Sequence, residues 1–204
     1  YEIQKMILKK RLEAEFAMKV GHLNNVGQKT TVKLNIKENC IDFSVIKNED
    51  VIISNYMNLN KDIIYIDDPF ALDDLGDFRW QFWSNEFEHR HDLLMKLARD
   101  KKTEEFSVVD ELIVQKKLDK ILNKMCDVCD GELMSEDRDS FSYKTDRLNG
   151  ELKMVNLSTG MKSFVILRRL LQNGNIDENG VIILDEPEIH LHPEWQLKFA
   201  EIIV

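Results

Sequence analysis

Proline is scarce in this chain, three residues in 204, so no Pro-rich linker divides it. Cysteine is as rare: three residues, with at least one left unpaired, cannot staple a miniprotein. With no secretory n-region or h-region in view, that cysteine usage points to a reducing, cytoplasmic setting. No apolar run exceeds four residues, as in Ile63 to Ile66 and Val181 to Leu184, far short of the roughly 20 that cross a bilayer. Positive charge is in deficit too. Against 37 Asp and Glu stand 28 Lys and Arg, a formal charge of -9 with no long basic block, which argues against holding nucleic acid by bulk charge. What the chain does have is a globular balance, 43% hydrophobic and 32% charged, which excludes collagen-like and low-complexity sequences. Tyr1 in place of Met, and the apolar helical pattern of Phe199 to Val204 without a helix stop, read as an internal segment of a longer protein.

Periodicity sets the organisation. Leu8, Leu12, Phe16 and Val20 recur every fourth residue and predict an opening helix with all four on one face, closed off between Gly21 and Gly27. Val32, Leu34 and Ile36, then Ile41, Phe43 and Val45, alternate with polar residues around Glu38 and Asn39, the pattern of an antiparallel hairpin with one wet face. A strand at Ile63 to Ile66 ends in Asp67, Asp68 and Pro69. Trp80, Phe82, Trp83 and Phe87 lead into a helix carrying Leu93, Leu94 and Leu97, and a long helix over 107–126 follows. Short strands near Phe141 to Tyr143 and Leu152 to Val155 precede a helix from about Met161 to Leu171, a strand to Asp185 and a last helix from about Pro193. Three stretches are expected: 1–68, helix and antiparallel β arm; 69–150, an inserted helical lobe; 151–204, helix, strand and helix.

The most informative stretch is Val181-Ile182-Ile183-Leu184-Asp185-Glu186-Pro187. Four apolar residues suit a strand buried on both faces, and adjacent carboxylates at its C-terminal end stand where open α/β sheets place ligands. This is Walker B geometry. The first carboxylate of such a pair holds Mg²⁺, usually through water, and the second polarises the water that attacks a γ-phosphate. Asp185 is then the metal residue and Glu186 the base. Taken alone, the stretch fits equally a buried strand that ends in a solvated acidic turn.

Its neighbours shift that balance. Upstream lies Asn156-Leu157-Ser158-Thr159-Gly160-Met161-Lys162-Ser163, a polar turn opening an apolar helix, and a helix N-terminus with a serine hydroxyl is a ready anion site. Here the chain resembles the ABC-type ATPase superfamily, whose signature reads LSGGQ and is followed by Walker B at about this distance. This chain reads LSTGMK; Thr159 for the first glycine and Met161 for the glutamine resemble the SMC, RecF-like and OLD-like branch of AAA-type ATPases more than membrane transporters. Downstream, Pro187-Glu188-Ile189-His190-Leu191-His192-Pro193 looks like the D-loop of that branch. The resemblance is close over about residues 155–204 and only architectural before.

The resemblance implies an α/β fold, part of an ABC/SMC-like P-loop ATPase head, with an antiparallel β arm and a helical signature lobe. It implies ATP and Mg²⁺ as cofactors and a homodimer in which each signature caps the partner's nucleotide. Ser158, Thr159, Gly160 and Lys162 are the nucleotide-contacting candidates, Asp185 the metal residue, and Glu186 with His190 the catalytic candidates, His190 near the dimer interface and His192 structural beside Pro193. A nucleic acid or an effector protein is expected to engage regions outside this segment.

One required part is absent. Walker A needs G-x-x-x-x-G-K-[ST], and none of the eight glycines is followed by Lys. The phosphate-cradling loop is therefore expected before Tyr1, or never to have existed, and the segment alone is expected not to hydrolyse ATP. Asp67 and Asp68 form a rival strand-end pair; with no signature turn before it, it reads better as a strand entering the helical insertion. Gln81 is a candidate γ-phosphate sensor. Cys126 and Cys129 have C-x-x-C spacing but no second pair, so a structural role is favoured. His89 and His91 read as a solvated helix face, and Glu136 to Asp139 as a solvated turn. Two other readings stay open: a non-hydrolysing interaction module of the same fold, and the ATPase part of an OLD-like nuclease.

Overall fold

The structure is a computed structural model that describes residues 2–23, 28–36, 39–46, 50–56, 62–75, 88–99, 108–137, 140–176 and 180–203. The chain divides into two units, 1–60 with 83–89, and 61–82 with 90–204. Glu38 and Gln81 lie outside the described residues, as do Trp80, Phe82, Trp83 and Phe87.

In the first unit helix α1 runs Glu2–Glu15 and stops earlier than the fourfold spacing predicts. The reason is local. Met18 donates its N–H to the Glu13 carbonyl (3.2 Å) and Ala17 to that of Ala14 (3.3 Å), with Ala17 at φ 48, the left-handed closure that ends many helices. Phe16 is left 53% exposed, and Val20 is buried from a separate 3-10 turn, Val20–His22.

Strands β1 (Thr30–Ile36), β2 (Asn39–Ile46) and β3 (Asp50–Asn55) form an antiparallel sheet in the order β1-β2-β3. The expected hairpin is thus the first two strands of a three-stranded sheet. Val45 lies opposite both Thr30 and Val51. With Val51, Ile53 and Val20 it makes a small core, against which Leu8, Leu12, Leu23 and Phe43 pack. The Lys5 ammonium reaches Asp50 at 2.7 Å and, as the largest cause, draws that carboxyl below its ordinary range. His89, expected on a solvated face, is 15% exposed and ion-paired with Glu15.

The second unit is α/β. Strands β4 (Ile63–Ile66) and β8 (Val181–Leu184) pair in parallel, Ile63 opposite Val181 and Ile66 opposite Leu184. β4, grouped by sequence with the antiparallel arm, is therefore a partner of the late strand. Between them come α2 (Ala71–Leu75), α3 (Glu88–Ala98, in this unit from Arg90), α4 (Val108–Met125), and an antiparallel sheet of β5 (Glu132–Asp137), β6 (Ser140–Lys144) and β7 (Glu151–Lys153). Glu136 and Asp137 belong to β5 and are not a turn.

Helix α5 (Thr159–Gln172) is the centre of the core, with Phe164, Ile166 and Leu170 fully buried. The Phe164 ring meets Trp195 and Phe199 edge-on at 6.0 and 5.6 Å, tying α5 to α6 (Pro193–Ile203). Leu93, Leu94 and Leu97 of α3 are buried in the same cluster, as their spacing predicts. One expectation fails. Val181 and Ile183 are 43% and 49% exposed, so β8 presents Ile182 and Leu184 to the core and leaves its other face open.

Candidate functional site

The parallel ladder continues one step past β8, the Asp185 N–H donating to the Ile66 carbonyl at 3.0 Å. Both strands therefore end at one level, and each delivers two carboxylates there: Asp67 and Asp68 from β4, Asp185 and Glu186 from β8. The pair set aside in the sequence thus shares a cleft with the pair preferred there. That cleft has a volume of about 110 Å³, with Ser163, Pro187 and His190 completing its rim.

Each carboxylate is held differently. Asp185 accepts from the Tyr65 hydroxyl at 3.2 Å. Asp68 accepts from the Phe70 N–H at 2.8 Å, a turn that launches α2. Arg90 brings its guanidinium to 3.4 Å from Asp68 and 3.7 Å from Asp67. Glu186 is exposed and its backbone sits at φ 42, in the left-handed region. For a residue with a β-carbon that conformation costs roughly 1–2 kcal/mol, and such strain gathers at functional sites.

The loop after Glu186 is pinned by backbone bonds. Ile189 donates to Glu186 (3.1 Å) and Leu191 to Glu188 (3.0 Å), while the Gln196 amide donates to the carbonyls of Glu188 (3.1 Å) and Leu191 (3.3 Å). His192 accepts the Glu194 N–H on its ring at 3.4 Å and the Trp195 N–H on its carbonyl at 2.7 Å, which caps α6. His192 is structural, as its place before Pro193 suggests. His190 is exposed, its ring centre 6.0 Å from that of Phe70 in an edge-on arrangement.

The turn before α5 opens a helix, as the sequence indicates. Ser158 caps α5, accepting the Met161 N–H on its hydroxyl at 3.3 Å, and remains exposed. Thr159 is half-buried and Gly160 buried. A β-carbon on Gly160 would lie 3.1 Å from the His190 carbonyl and 3.2 Å from the Trp195 ring, so glycine is what lets the first turn of α5 lie close against the loop that precedes α6.

Lys162 departs from expectation. Its side chain is 3% exposed, 2.6 Å from Asp73 in an ion pair and 4.8 Å from the centre of the Phe70 ring. The ammonium that was assigned to a nucleotide is committed inside its own chain, and Lys162 roots the signature turn on α2. Sequence reasoning missed Tyr65, Phe70, Asp73 and Arg90. Strand alternation was a usable signal for Tyr65; nothing in sequence spacing links Arg90 to Asp67 or Lys162 to Asp73.

The C-x-x-C pair carries no site. Cys126 and Cys129 are free thiols; Cys129 is buried, and burial pushes its thiol up. Arg168 donates to the Cys129 carbonyl, and the Tyr143 hydroxyl accepts the Gly131 N–H at 2.7 Å, which explains the turn as packing. Among the described residues no three His, Cys, Asp or Glu side chains converge as a metal cage.

A family model described as "AAA domain, putative AbiEii toxin, Type IV TA system" matches residues 59–204. The chain belongs to this AAA-domain family. The match covers the second unit with its four strand-end acids. The Septu protein PtuA of Bacillus thuringiensis is 28% identical over 162 residues, 72% of this chain and 38% of that protein. The chain thus spans under two fifths of this relative's length. No solved structure matches. No helix among the described residues is long and apolar enough to cross a membrane.

Proposed function

We propose that this chain supplies the acidic strand ends and the signature turn of an ATP-hydrolysing head of the SMC, RecF-like or OLD-like kind, which pairs with a second copy around ATP and Mg²⁺. The observation that carries it is Glu186: exposed, in a strained backbone, beside Asp185 at the end of a parallel strand, in a chain of the AAA-domain family. Left-handed backbone at a residue with a β-carbon gathers at functional sites, and Glu186 lines the cleft where a general base would stand.

The donor set suits the metal. Mg²⁺ is normally held by one or two carboxylates plus substrate phosphates rather than by an all-protein cage, and Asp185 and Asp67 offer hard carboxylate oxygens to one cleft. When bound, Mg²⁺ would offset the charge of the phosphates. Asp185 orients the metal's shell and Glu186 takes the proton from the attacking water, while His190 stands at the rim.

Size supports the need for a partner. Small-molecule sites run to roughly 300–1,000 Å³, and a cleft of about 110 Å³ is in keeping with a site that other parts complete. The phosphate-cradling glycine loop, absent from these 204 residues, and a second copy's Ser158 and first-turn N–H groups complete it. Gly160 and Lys162 then act by shaping that turn. Nucleic acid or an effector protein is engaged by other parts of the protein.

The test uses the complete protein with its P-loop. Ser158→Asp keeps the helix cap, since Asp caps as well as Ser, but sets a carboxylate against an incoming phosphate. ATP binding to a single head is expected to stay within about twofold, and the ATP-dependent dimer, followed by light scattering, to fall at least tenfold. Undiminished dimerisation removes Ser158 from the interface and sinks the sandwich.

A further inference from the structure

The hydroxyl of Tyr65 belongs to no element of the reading above, yet it ends at the carboxylate that reading depends on. β4 is Ile63-Ile64-Tyr65-Ile66. Ile64 and Ile66 are 2% and 8% exposed and fill the core, whereas Ile63 is 39% exposed on the opposite face. Tyr65 shares that open face by alternation, opposite Ile183 in the parallel register. Asp185 is two residues past Ile183 on the same side, the diagonal separation that a long aromatic side chain spans across adjacent strands. The result is the 3.2 Å contact between the Tyr65 hydroxyl and Asp185 Oδ2.

We infer that Tyr65 is a positioning residue for Asp185. It donates to one carboxylate oxygen and so fixes the torsion of the side chain, leaving Oδ1 for the metal or its water. An exposed Asp at a strand end otherwise turns freely among its rotamers, and the loss on ordering it falls on metal binding. Residues that orient a ligand from behind contribute to affinity without touching the metal. The hydroxyl is what distinguishes Tyr here. This inference rests on the assignment of Asp185 as the metal residue.

At 3.2 Å the bond is at the long end for an O–H donor, so the effect is that of one ordinary hydrogen bond, about fivefold, and not the hundredfold of a lost ligand. The experiment measures Mn²⁺ binding by electron paramagnetic resonance in the complete protein loaded with a non-hydrolysable ATP analogue. Tyr65→Phe is expected to weaken Mn²⁺ about fivefold, leaving metal-free analogue affinity and the thermal midpoint unchanged. Asp185→Asn in the same assay is expected to weaken Mn²⁺ far more. If Asp185→Asn acts and Tyr65→Phe does not, or if Tyr65→Phe lowers only the thermal midpoint, Tyr65 is a packing residue and the inference is overturned while the reading of Asp185 survives. If Asp185→Asn has no effect on Mn²⁺, the metal assignment itself falls.

Discussion

Replacing Glu186 by Gln in the complete protein is expected to cut ATP hydrolysis by about 10²-fold or more, to leave ATP binding intact, and to accumulate the ATP-bound dimer. The substitution keeps length and shape while removing the proton acceptor, and a positioned general base contributes roughly 10²–10⁴ in rate. The backbone supplies a control for this prediction. Glu186 is held at φ 42, a conformation that glycine adopts without strain. Glu186→Gly is expected to lose hydrolysis to the same extent yet raise the thermal midpoint by about 2–4 °C, the shift that roughly 1 kcal/mol produces in a chain of this size. Equal loss of turnover in both variants, with the midpoint raised only in Glu186→Gly, would show that the strain is retained for chemistry. Near-normal turnover in either would end the assignment of Glu186 as base. Slow turnover with lost ATP binding would move Glu186 from the chemical step to the binding of nucleotide.

The parts of this site that sequence reveals are those written contiguously. Val181 to Glu186 states its strand and its carboxylates in one run, and Ser158 announces α5 because a cap and the helix it caps are adjacent. Periodicity assigns a residue to a face but not to a partner, so contacts between distant segments stay hidden. Tyr65 and Asp185 are 120 positions apart, and Lys162 and Asp73 are 89. Parallel pairing of β4 with β8 is the step that turned Asp67 and Asp68 from a strand end into half of the cleft, and no local pattern encodes which strand is the neighbour. β3 was missed because Val51, Ile52 and Ile53 hide the alternation that the buried Val51 and Ile53 obey. Lys162 did carry a usable signal: it precedes the buried Val165 and Ile166 by three and four residues, which puts it on the core face of α5. The family resemblance of the signature drew it toward the nucleotide against that spacing.

The ion pair of Lys162 with Asp73 makes the second large prediction, and it separates those two roles. Lys162 is 3% exposed and Asp73 24%. Removing the partner of a charge buried so deeply leaves it uncompensated, which costs about 3–5 kcal/mol, whereas exchanging both members for apolar groups is often neutral. Asp73→Ala is therefore expected to destabilise by about 3 kcal/mol, the low end because Asp73 is partly wet and the Phe70 ring still faces the ammonium. In thermal unfolding that is a fall of roughly 6–12 °C. Adding Lys162→Met to Asp73→Ala removes the stranded charge and is expected to restore most of the loss, a coupling that the double-mutant cycle reads directly. The same double variant tests function. If Lys162 only roots the signature turn, the restored protein still forms its ATP-dependent dimer. If Lys162 instead reaches phosphate from the partner's site, stability returns but dimerisation does not, and the structural assignment of this lysine is wrong. If Asp73→Ala leaves the midpoint within 2 °C, the pair contributes nothing to the fold, and the mooring of the signature turn to α2 must be sought in apolar packing alone.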